Sequence, residues 1–378
     1  MRRILLLSLL VVALLLSLFE VRRQGRGARP EAPAALSVAK VLGGAPAAGF
    51  SRALTPRTFS FPADHGPHHG FRNEWWYFTG NLQSADGHRF GYQLTFFRVA
   101  LAPGKVERAS HWAANEVYMA HFAVTDVGGQ RFRFAERFSR EALGLAGAGG
   151  QPLTVWLENW SARETASSPW SMKLTAAGKG MAIDLDLTSL TAPILNGEHG
   201  LSRKSATPGN ASYYYSIPRM KSTGTLRSGN RSYQVSGLSW LDREWSTSAL
   251  EAGQAGWDWL ALQLADGRDL MFYRMRRRDG SADPSSSGTL VTRGGGVLHL
   301  TREQVRMEVL QWWTSPHGSR YPARWRVTVP SQGIDLEVVP RLADQELATS
   351  FRYWEGAVES RGAGGSPSGS GYLEMTGY

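Results

Sequence analysis

The segment Ser239-Trp240-Leu241-Asp242-Arg243-Glu244-Trp245 carries side chains suited to proton transfer. Asp242 and Glu244 are two residues apart, so on a strand, where alternate side chains share a face, the two carboxylates lie together. Neighbouring carboxylates repel, and apolar surroundings disfavour ionisation. Both effects raise a pKa and can hold one carboxyl protonated as a general acid. Addition of water to an alkene needs such an acid: it protonates one carbon, and water attacks the cation left at the other. Tryptophan and tyrosine faces stabilise that cation, and Trp240 stands close by. The structural alternative is that Asp242 pairs with Arg243 or another arginine, or caps a turn.

A second group precedes the run Trp75-Trp76-Tyr77-Phe78. Asp64, His65, His68, His69, Arg72, Asn73 and Glu74 gather polar and titratable side chains before three adjacent large aromatics. On a strand, Trp76 and Phe78 face one way, and Trp75 and Tyr77 the other. Either both faces find apolar cover in a core, or one lines an apolar ligand pocket with polar groups at its mouth. On the second reading His69, Arg72, Asn73, Glu74 and Trp76 are ligand-binding candidates. Histidine with carboxylate can hold zinc, but Gly66 and Pro67 interrupt this cluster and no paired spacing recurs, so no metal site is expected. A hydrogen-bonded network at a barrel end is the alternative, and Glu74 beside tryptophans would need partners. Gln93 and His121, on alternating segments, are further candidates; a satisfied core histidine is the other reading of His121. Trp257 and Trp259 share a face and either line a groove for an elongated apolar ligand or fill a core.

The elements that must position these residues read as strands. From residue 59 onward, short alternating segments such as 90–97, 117–124 and 181–187 are punctuated by Gly, Asp-Gly and Pro. Period-2 alternation at this spacing predicts antiparallel strands in a barrel or sandwich. Short helices are expected only near 137–143 or 302–309. An internal echo points to two similar domains. Trp75-Trp76-Tyr77-Phe78, Asp86-Gly87 and Arg98 recur as Trp257-Asp258-Trp259-Leu260, Asp266-Gly267 and Arg276. Each half reads as strand, Asp-Gly turn, strand. The boundary is expected near 220–230.

Composition bounds the partners. The 378 residues contain 14 Trp, 42 Gly and no Cys, which excludes disulfides and thiol catalysis. The net charge of +10 is uneven: residues 1–60 hold eight Arg and one Lys against two Glu, giving +7 and leaving +3 for the rest. A globular part so near neutrality argues against a nucleic-acid surface. Residues 4–19 are apolar apart from Ser8 and Ser17, a 16-residue run covering roughly 24 Å as a helix at about 1.5 Å per residue. That is short for a bilayer span and long for a signal core. The nearest small-x-small site, Ala32-Pro33-Ala34, lies far downstream, which favours an uncleaved anchor. Arg22, Arg23, Arg26 and Arg29 suit anionic headgroups. The positive-inside rule would put the body in the cytoplasm.

Several motifs in one order carry a resemblance. Asn73-Glu74-Trp75-Trp76-Tyr77-Phe78, Leu195-Asn196-Gly197, Tyr213-Tyr214-Tyr215-Ser216-Ile217-Pro218, the Asp242 segment, Trp312-Trp313-Thr314-Ser315-Pro316, Asp344-Gln345-Glu346, Tyr353-Trp354-Glu355-Gly356 and the ending from Gly371 to Tyr378 are similar to the family that joins bacterial AttH-like exported proteins to carotenoid 1,2-hydratases. Distant relatives include fungal Diels–Alderases that close polyene chains. The likeness covers residues 59–378. It implies two tandem lipocalin-like barrels, export from the cytoplasm and work beside an ABC export system. Many AttH-like relatives look like lipoproteins, which a chain without Cys cannot be. Asp242 matches the acidic residue thought to act in the hydratases, within a Tyr-x-Asp motif whose tyrosine is here Trp240. The hydratases' upstream His-x-Trp pair is matched by Tyr213 and Tyr215. One of four groups is kept, so the resemblance implies a different substrate, a different reaction or binding alone.

The expectation is therefore an all-β chain of two tandem lipocalin-like antiparallel β-barrels after an N-terminal membrane segment. Residues 1–23 are a signal peptide or anchor, 24–58 a tether, 59–224 and 225–378 the barrels. The expected function is binding of an apolar lipid or isoprenoid by a periplasmic protein tethered to the inner membrane through residues 4–21, with ABC transporter subunits as partners. The alternative is a hydratase with Asp242 as acid and Glu244, Tyr213, Tyr215 and Trp240 in support. No cofactor is expected.

Overall fold

The computed structural model describes residues 48–104, 110, 113–247, 250–363, 366 and 368–378. The expected membrane segment and most of the tether lie outside the described residues. Among the described residues no helix is long and apolar enough to cross a membrane.

The chain forms two antiparallel sheets. The first contains β1 (Asn73–Ser84), β2 (Arg89–Ala100), β3 (Glu116–Asp126), β4 (Arg131–Arg140), β5 (Ala146–Gly149), β6 (Thr154–Leu157), β7 (Trp160–Ser167), β8 (Trp170–Gly178), β9 (Met181–Ser189), β10 (Ile194–Leu195), β11 (Leu201–Arg203), β12 (Ala211–Ser228) and β13 (Arg231–Ser246). The second contains β14 (Gln254–Leu264), β15 (Asp269–Arg277), β16 (Ser287–Val291), β17 (Val297–Thr301), β18 (Arg306–Thr314), β19 (Arg320–Val329), β20 (Ile334–Pro340), β21 (Glu346–Ala348), β22 (Arg352–Gly362) and β23 (Gly369–Thr376). The strand orders are β4-β3-β2-β1-β13-β12-β9-β8-β7-β6-β5 and β17-β16-β15-β14-β23-β22-β20-β19-β18. Each sheet curls into a barrel or half-barrel around its own apolar core.

The two orders follow one plan. The opening strand of each sheet (β1, β14) pairs with the next strand through a hairpin and with the last strand of its own sheet (β13, β23). The Asp-Gly echo lies in these hairpins. Gly87 and Gly267 have φ of +87° and +90°, a backbone region open to glycine at little cost.

Alternation decides the faces. In β9, Met181, Ile183, Leu185 and Leu187 point inward while Asp184 and Asp186 are exposed. Strand β1 is apolar on both faces for two reasons. Trp76 and Phe78 fill the first core, whereas Tyr77 packs with Trp75 against Trp259 and Tyr372 of the second sheet. The packed sheets are tied by side-chain hydrogen bonds: Thr125 Oγ1 donates to Gln345 Oε1 at 2.7 Å, and Asn81 Nδ2 to the Gly371 carbonyl at 3.0 Å.

Two expectations are corrected. The division at 224/225 cuts β12; Gly229 and Asn230 form a two-residue hairpin turn that carries the chain straight into β13 of the same sheet. The first sheet instead ends with β13 at Ser246, and the second begins with β14 at Gln254. No helix forms at 302–309, where β18 begins at Arg306, and near 137–143 only a 3₁₀ turn, Ala142–Gly144, follows β4.

Candidate active site

Asp242 and Arg243 are adjacent in β13 and so face opposite ways. Arg243 turns toward the first core. Its Nη2 donates to Glu74 Oε2 at 2.5 Å, and its guanidinium lies 3.8 Å from the Trp76 ring centroid. Glu74, fully buried, also accepts from Arg98 Nε and from the His68 backbone N–H at 3.0 Å. Arg98 Nη1 reaches Glu116 at 2.6 Å, and His69 Nδ1 contacts the same carboxylate at 2.7 Å. Burial alone would raise Glu74, but Arg243 and Arg98 outweigh it and hold the carboxyl well below the ordinary range. The Arg72 backbone N–H donates to Thr247 Oγ1 at 3.2 Å, and Asn73 is buried at the start of β1. Of the candidates at the entry, His69, Glu74 and Trp76 join one ion-paired network under the first core, apart from Asp242.

Asp242 faces the second sheet. Its Oδ1 accepts from Ser216 Oγ at 2.5 Å and Trp240 Nε1 at 2.7 Å; its Oδ2 accepts from the Tyr214 hydroxyl at 2.6 Å. Trp259 Nε1, from the second sheet, donates to that hydroxyl at 3.1 Å. Among the described residues Asp242 forms no ion pair. Burial dominates over the three donors, and with the Glu244 charge it pushes Asp242 up to about 7. Glu244, on the same face, accepts from Ser212 Oγ and from Lys204 Nζ at 2.9 Å.

Tyr213 and Tyr215 do not join this group. They belong to the opposite face of β12, within the first core. The Tyr213 hydroxyl donates to the Thr55 carbonyl at 2.9 Å. The Tyr215 hydroxyl lies 2.6 Å from Nδ1 of His65, a ring that burial and Arg243 depress to about 3. Register explains the exchange: Ser216 stands opposite Asp242 and Tyr214 opposite Glu244, so the even-numbered residues of β12 share the carboxylates' face.

Two further carboxyls come from the second sheet. Glu355 and Glu374 stand directly opposite each other on β22 and β23. Glu355 is buried, and neither of its oxygens has a partner of good hydrogen-bond geometry, although the Tyr77 and Tyr353 hydroxyls are near enough to favour its charged form. Burial, then the charge of Glu374, push it well above the carboxylate range; Tyr77 and Tyr353 act the other way. Glu374 is half-buried and accepts from Trp257 Nε1 at 3.1 Å. Burial raises Glu374 to about 8, helped by the charges of Asp242 and Glu244 and opposed by the Trp257 N–H. Asp242 and Glu374 are equivalent in the shared plan. Asp242 is the cross-strand partner of Tyr77, as Glu374 is of Trp259; Ser216 and Glu355 are their partners on the other side.

Around these carboxyls lie Trp240, Trp259, Tyr77, Tyr214, Tyr273 and Tyr372, with Trp75, Trp257 and Leu250 half-buried at the edge. Gln93 is buried and donates to Thr95 Oγ1 at 2.5 Å. His121 is buried in β3 and joins the sheets, with Nδ1 2.7 Å from the Tyr353 hydroxyl and Nε2 3.0 Å from Glu136 Oε1. The arrangement can move protons between groups in an apolar, aromatic setting. Among the described residues no group of three or more His, Asp or Glu is placed to hold a metal ion. Sequence reasoning missed Tyr214, Ser216, Lys204, Glu355 and Glu374. Glu355 and Glu374 lay in recognisable motifs, but nothing in the sequence told that β22 and β23 face β13.

Comparisons follow the fold. An AttH protein from Nitrosomonas europaea is 32% identical over 87% of this chain and 100% of that one, with a TM-score of 0.79. Kievitone hydratase from Nectria haematococca is 13% identical over 87% of this chain and 96% of its own, with a TM-score of 0.65, and shares the fold. CghA is 13% identical over 86% and 96%, with a TM-score of 0.51. No curated protein matches the chain in sequence. The AttH-like family profile matches residues 52–378, and the chain belongs to the AttH-like family.

Proposed function

We propose that the protein is an acid–base enzyme that adds water to an apolar alkene of isoprenoid or polyene type, or removes it from the corresponding alcohol. The observation that carries this reading is a contrast between the carboxyls at two equivalent positions. Asp242 is supplied with three donors, which suits the charged form. The Glu355–Glu374 pair has one N–H and no cationic partner, which suits the protonated form. Groups whose surroundings set their proton affinities apart divide into acid and base. This reverses the role the sequence suggested for Asp242.

In the hydration direction Glu374 gives its carboxyl proton to one alkene carbon, and the C=C electron pair forms the new C–H bond. Positive charge develops at the other carbon beside the faces of Trp75, Trp257 and Tyr77. A water oxygen bonds to that carbon and releases a proton to the Tyr214 oxygen, while Tyr214 passes its own to Asp242 Oδ2. Glu374 ends as carboxylate and Asp242 as acid, and exchange with solvent restores both. The fold shared with kievitone hydratase is consistent with such chemistry.

The test incubates the full chain with isoprenoid and polyene alkenes in D₂O and follows mass. Gain of water, or deuterium in recovered alkene, that is lost in Asp242→Asn and Glu374→Gln supports the proposal. Bound alkene that takes up neither overturns it in favour of a carrier of apolar lipid or isoprenoid. The half-buried Trp75 and Trp257 support the carrier reading. We also propose that the protein works outside the cytoplasm, tethered by residues 4–21 beside an ABC export system; the apolar run supports the tether, and membership of the AttH-like family supports export against the charge bias of the arginines that follow the run. Fractionation of the host with and without residues 1–23 tests it.

A further inference from the structure

The first sheet already seats an ammonium group against this face. Lys204 Nζ is 2.9 Å from Glu244 Oε1 and lies 4.2 Å from the Tyr273 ring centroid and 5.3 Å from that of Tyr214. Burial depresses its proton affinity, but Glu244 and the neighbouring groups overcome this and keep it charged. The second sheet offers the same chemistry without the cation. Both oxygens of buried Glu355 lack a partner of good hydrogen-bond geometry, as does the buried hydroxyl of Tyr77 facing it from β1. The groups that act on Glu355 and Glu374 are Tyr77, Tyr353, Trp257, Asp242 and Glu244, with no arginine or lysine among them. Trp257 and Trp75 stand at the exposed edge of this half. Carboxylate beside aromatic faces is the surrounding that ammonium ions select.

We infer that the Glu355–Glu374 half of the interface binds the cationic group of an apolar amine or quaternary ammonium ligand, with the chain or ring of that ligand on Trp75 and Trp257. The inference concerns the same face as the proposed reaction and requires no chemistry there. Since a cation favours carboxylate over carboxyl, binding releases protons and tightens as pH rises through the titration of the pair.

The test titrates the full chain with an alkyltrimethylammonium below its micelle concentration, and with the alcohol and carboxylate of equal chain length. Calorimetry is run from about pH 6 to about pH 9, on both sides of the value of about 8 to which Glu374 is raised. The expected result is an affinity for the ammonium at least about tenfold above that for the alcohol, with proton release. The carboxylate should bind weakest. In Glu355→Gln/Glu374→Gln the ammonium and alcohol affinities should converge while alcohol binding stays. Exposed Glu308→Gln should change neither. Equal binding of ammonium and alcohol by the wild type, a pH-independent ammonium affinity, or selectivity surviving the double variant would overturn the inference. Because the wild-type pH series needs no variant, misfolding cannot hide the answer. None of these outcomes bears on deuterium uptake by an alkene, so the proposed reaction stands or falls separately.

Discussion

Arg243 turns its back on Asp242, its neighbour in sequence, and spends its charge on Glu74 on the other side of β13. One strand thereby separates two kinds of buried charge. On one side Glu74 and Glu116 are matched by Arg243 and Arg98. On the other, Asp242 is held by neutral donors alone.

The matched side should govern stability. Removing one partner of a buried ion pair leaves an uncompensated charge and costs about 3–5 kcal/mol. Arg98→Ala or Arg243→Ala should lower the denaturation free energy by that order in urea titrations. Glu74→Gln, which takes the carboxylate from buried Arg243 and leaves buried Arg98 with Glu116 alone, should do the same. Asp242→Asn should not, because Asn keeps an acceptor for Ser216 and Trp240.

The unmatched side should set the pH dependence of folding. Asp242 is raised from 3.8 to about 7 in the native protein, so the native state holds a proton that the unfolded chain has released. Stability from this group is fully present below about pH 4 and is lost as pH rises to about 7. Glu374, raised to about 8, extends the loss upward. At about 1.36 kcal/mol per unit, the Asp242 contribution is a few kcal/mol. Urea midpoints should therefore fall between about pH 5 and about pH 8.5. Asp242→Asn and Glu374→Gln should each flatten that slope. A wild-type midpoint that rises over this interval would show that these carboxyls are not protonated in the native state.

How much of this was legible beforehand depends on the level of structure. Strands and hairpins were readable because alternation and Asp-Gly turns are local: the opposed faces of Trp75/Tyr77 and Trp76/Phe78 follow from a period of two. Sheet membership was not. Arg231–Ser246 joins the first sheet because β13 closes on β1, a contact more than 150 residues apart in sequence that no local signal marks. The site failed at the same level. Whether Tyr213 and Tyr215, or Tyr214 and Ser216, meet Asp242 depends on pairing register, where a one-residue slip exchanges every face. Glu355 and Glu374 matter only because the second sheet packs against the first.

That packing can be probed with one glycine. Gly91 in β2 lies where the sheets touch, and a Cβ added there would stand 2.5 Å from the Ala357 Cβ and 3.1 Å from the Tyr372 hydroxyl. Gly91→Val should wedge the sheets apart and cost about 1–3 kcal/mol as overpacking. Ala357→Gly should restore part of it, since it removes the nearest atom. Double-mutant analysis of thermal unfolding would show the coupling; additive losses would show that the strain falls elsewhere.

Activity should report the division of labour between the two repeats. If Asp242 must be ionised and Glu374 protonated, the rate of hydration or deuterium uptake rises through about pH 7 and falls through about pH 8, a narrow bell. Tyr214→Phe should remove the hydroxyl that passes the proton and lower the rate by about 10²–10⁴-fold, the usual range for a lost acid–base step, with ligand affinity nearly unchanged. Tyr215→Phe, on the opposite face, should alter stability through His65 and leave the pH profile in place. Should Tyr215→Phe reshape the bell while Tyr214→Phe leaves it intact, the proton route would run through the first core and not between the sheets.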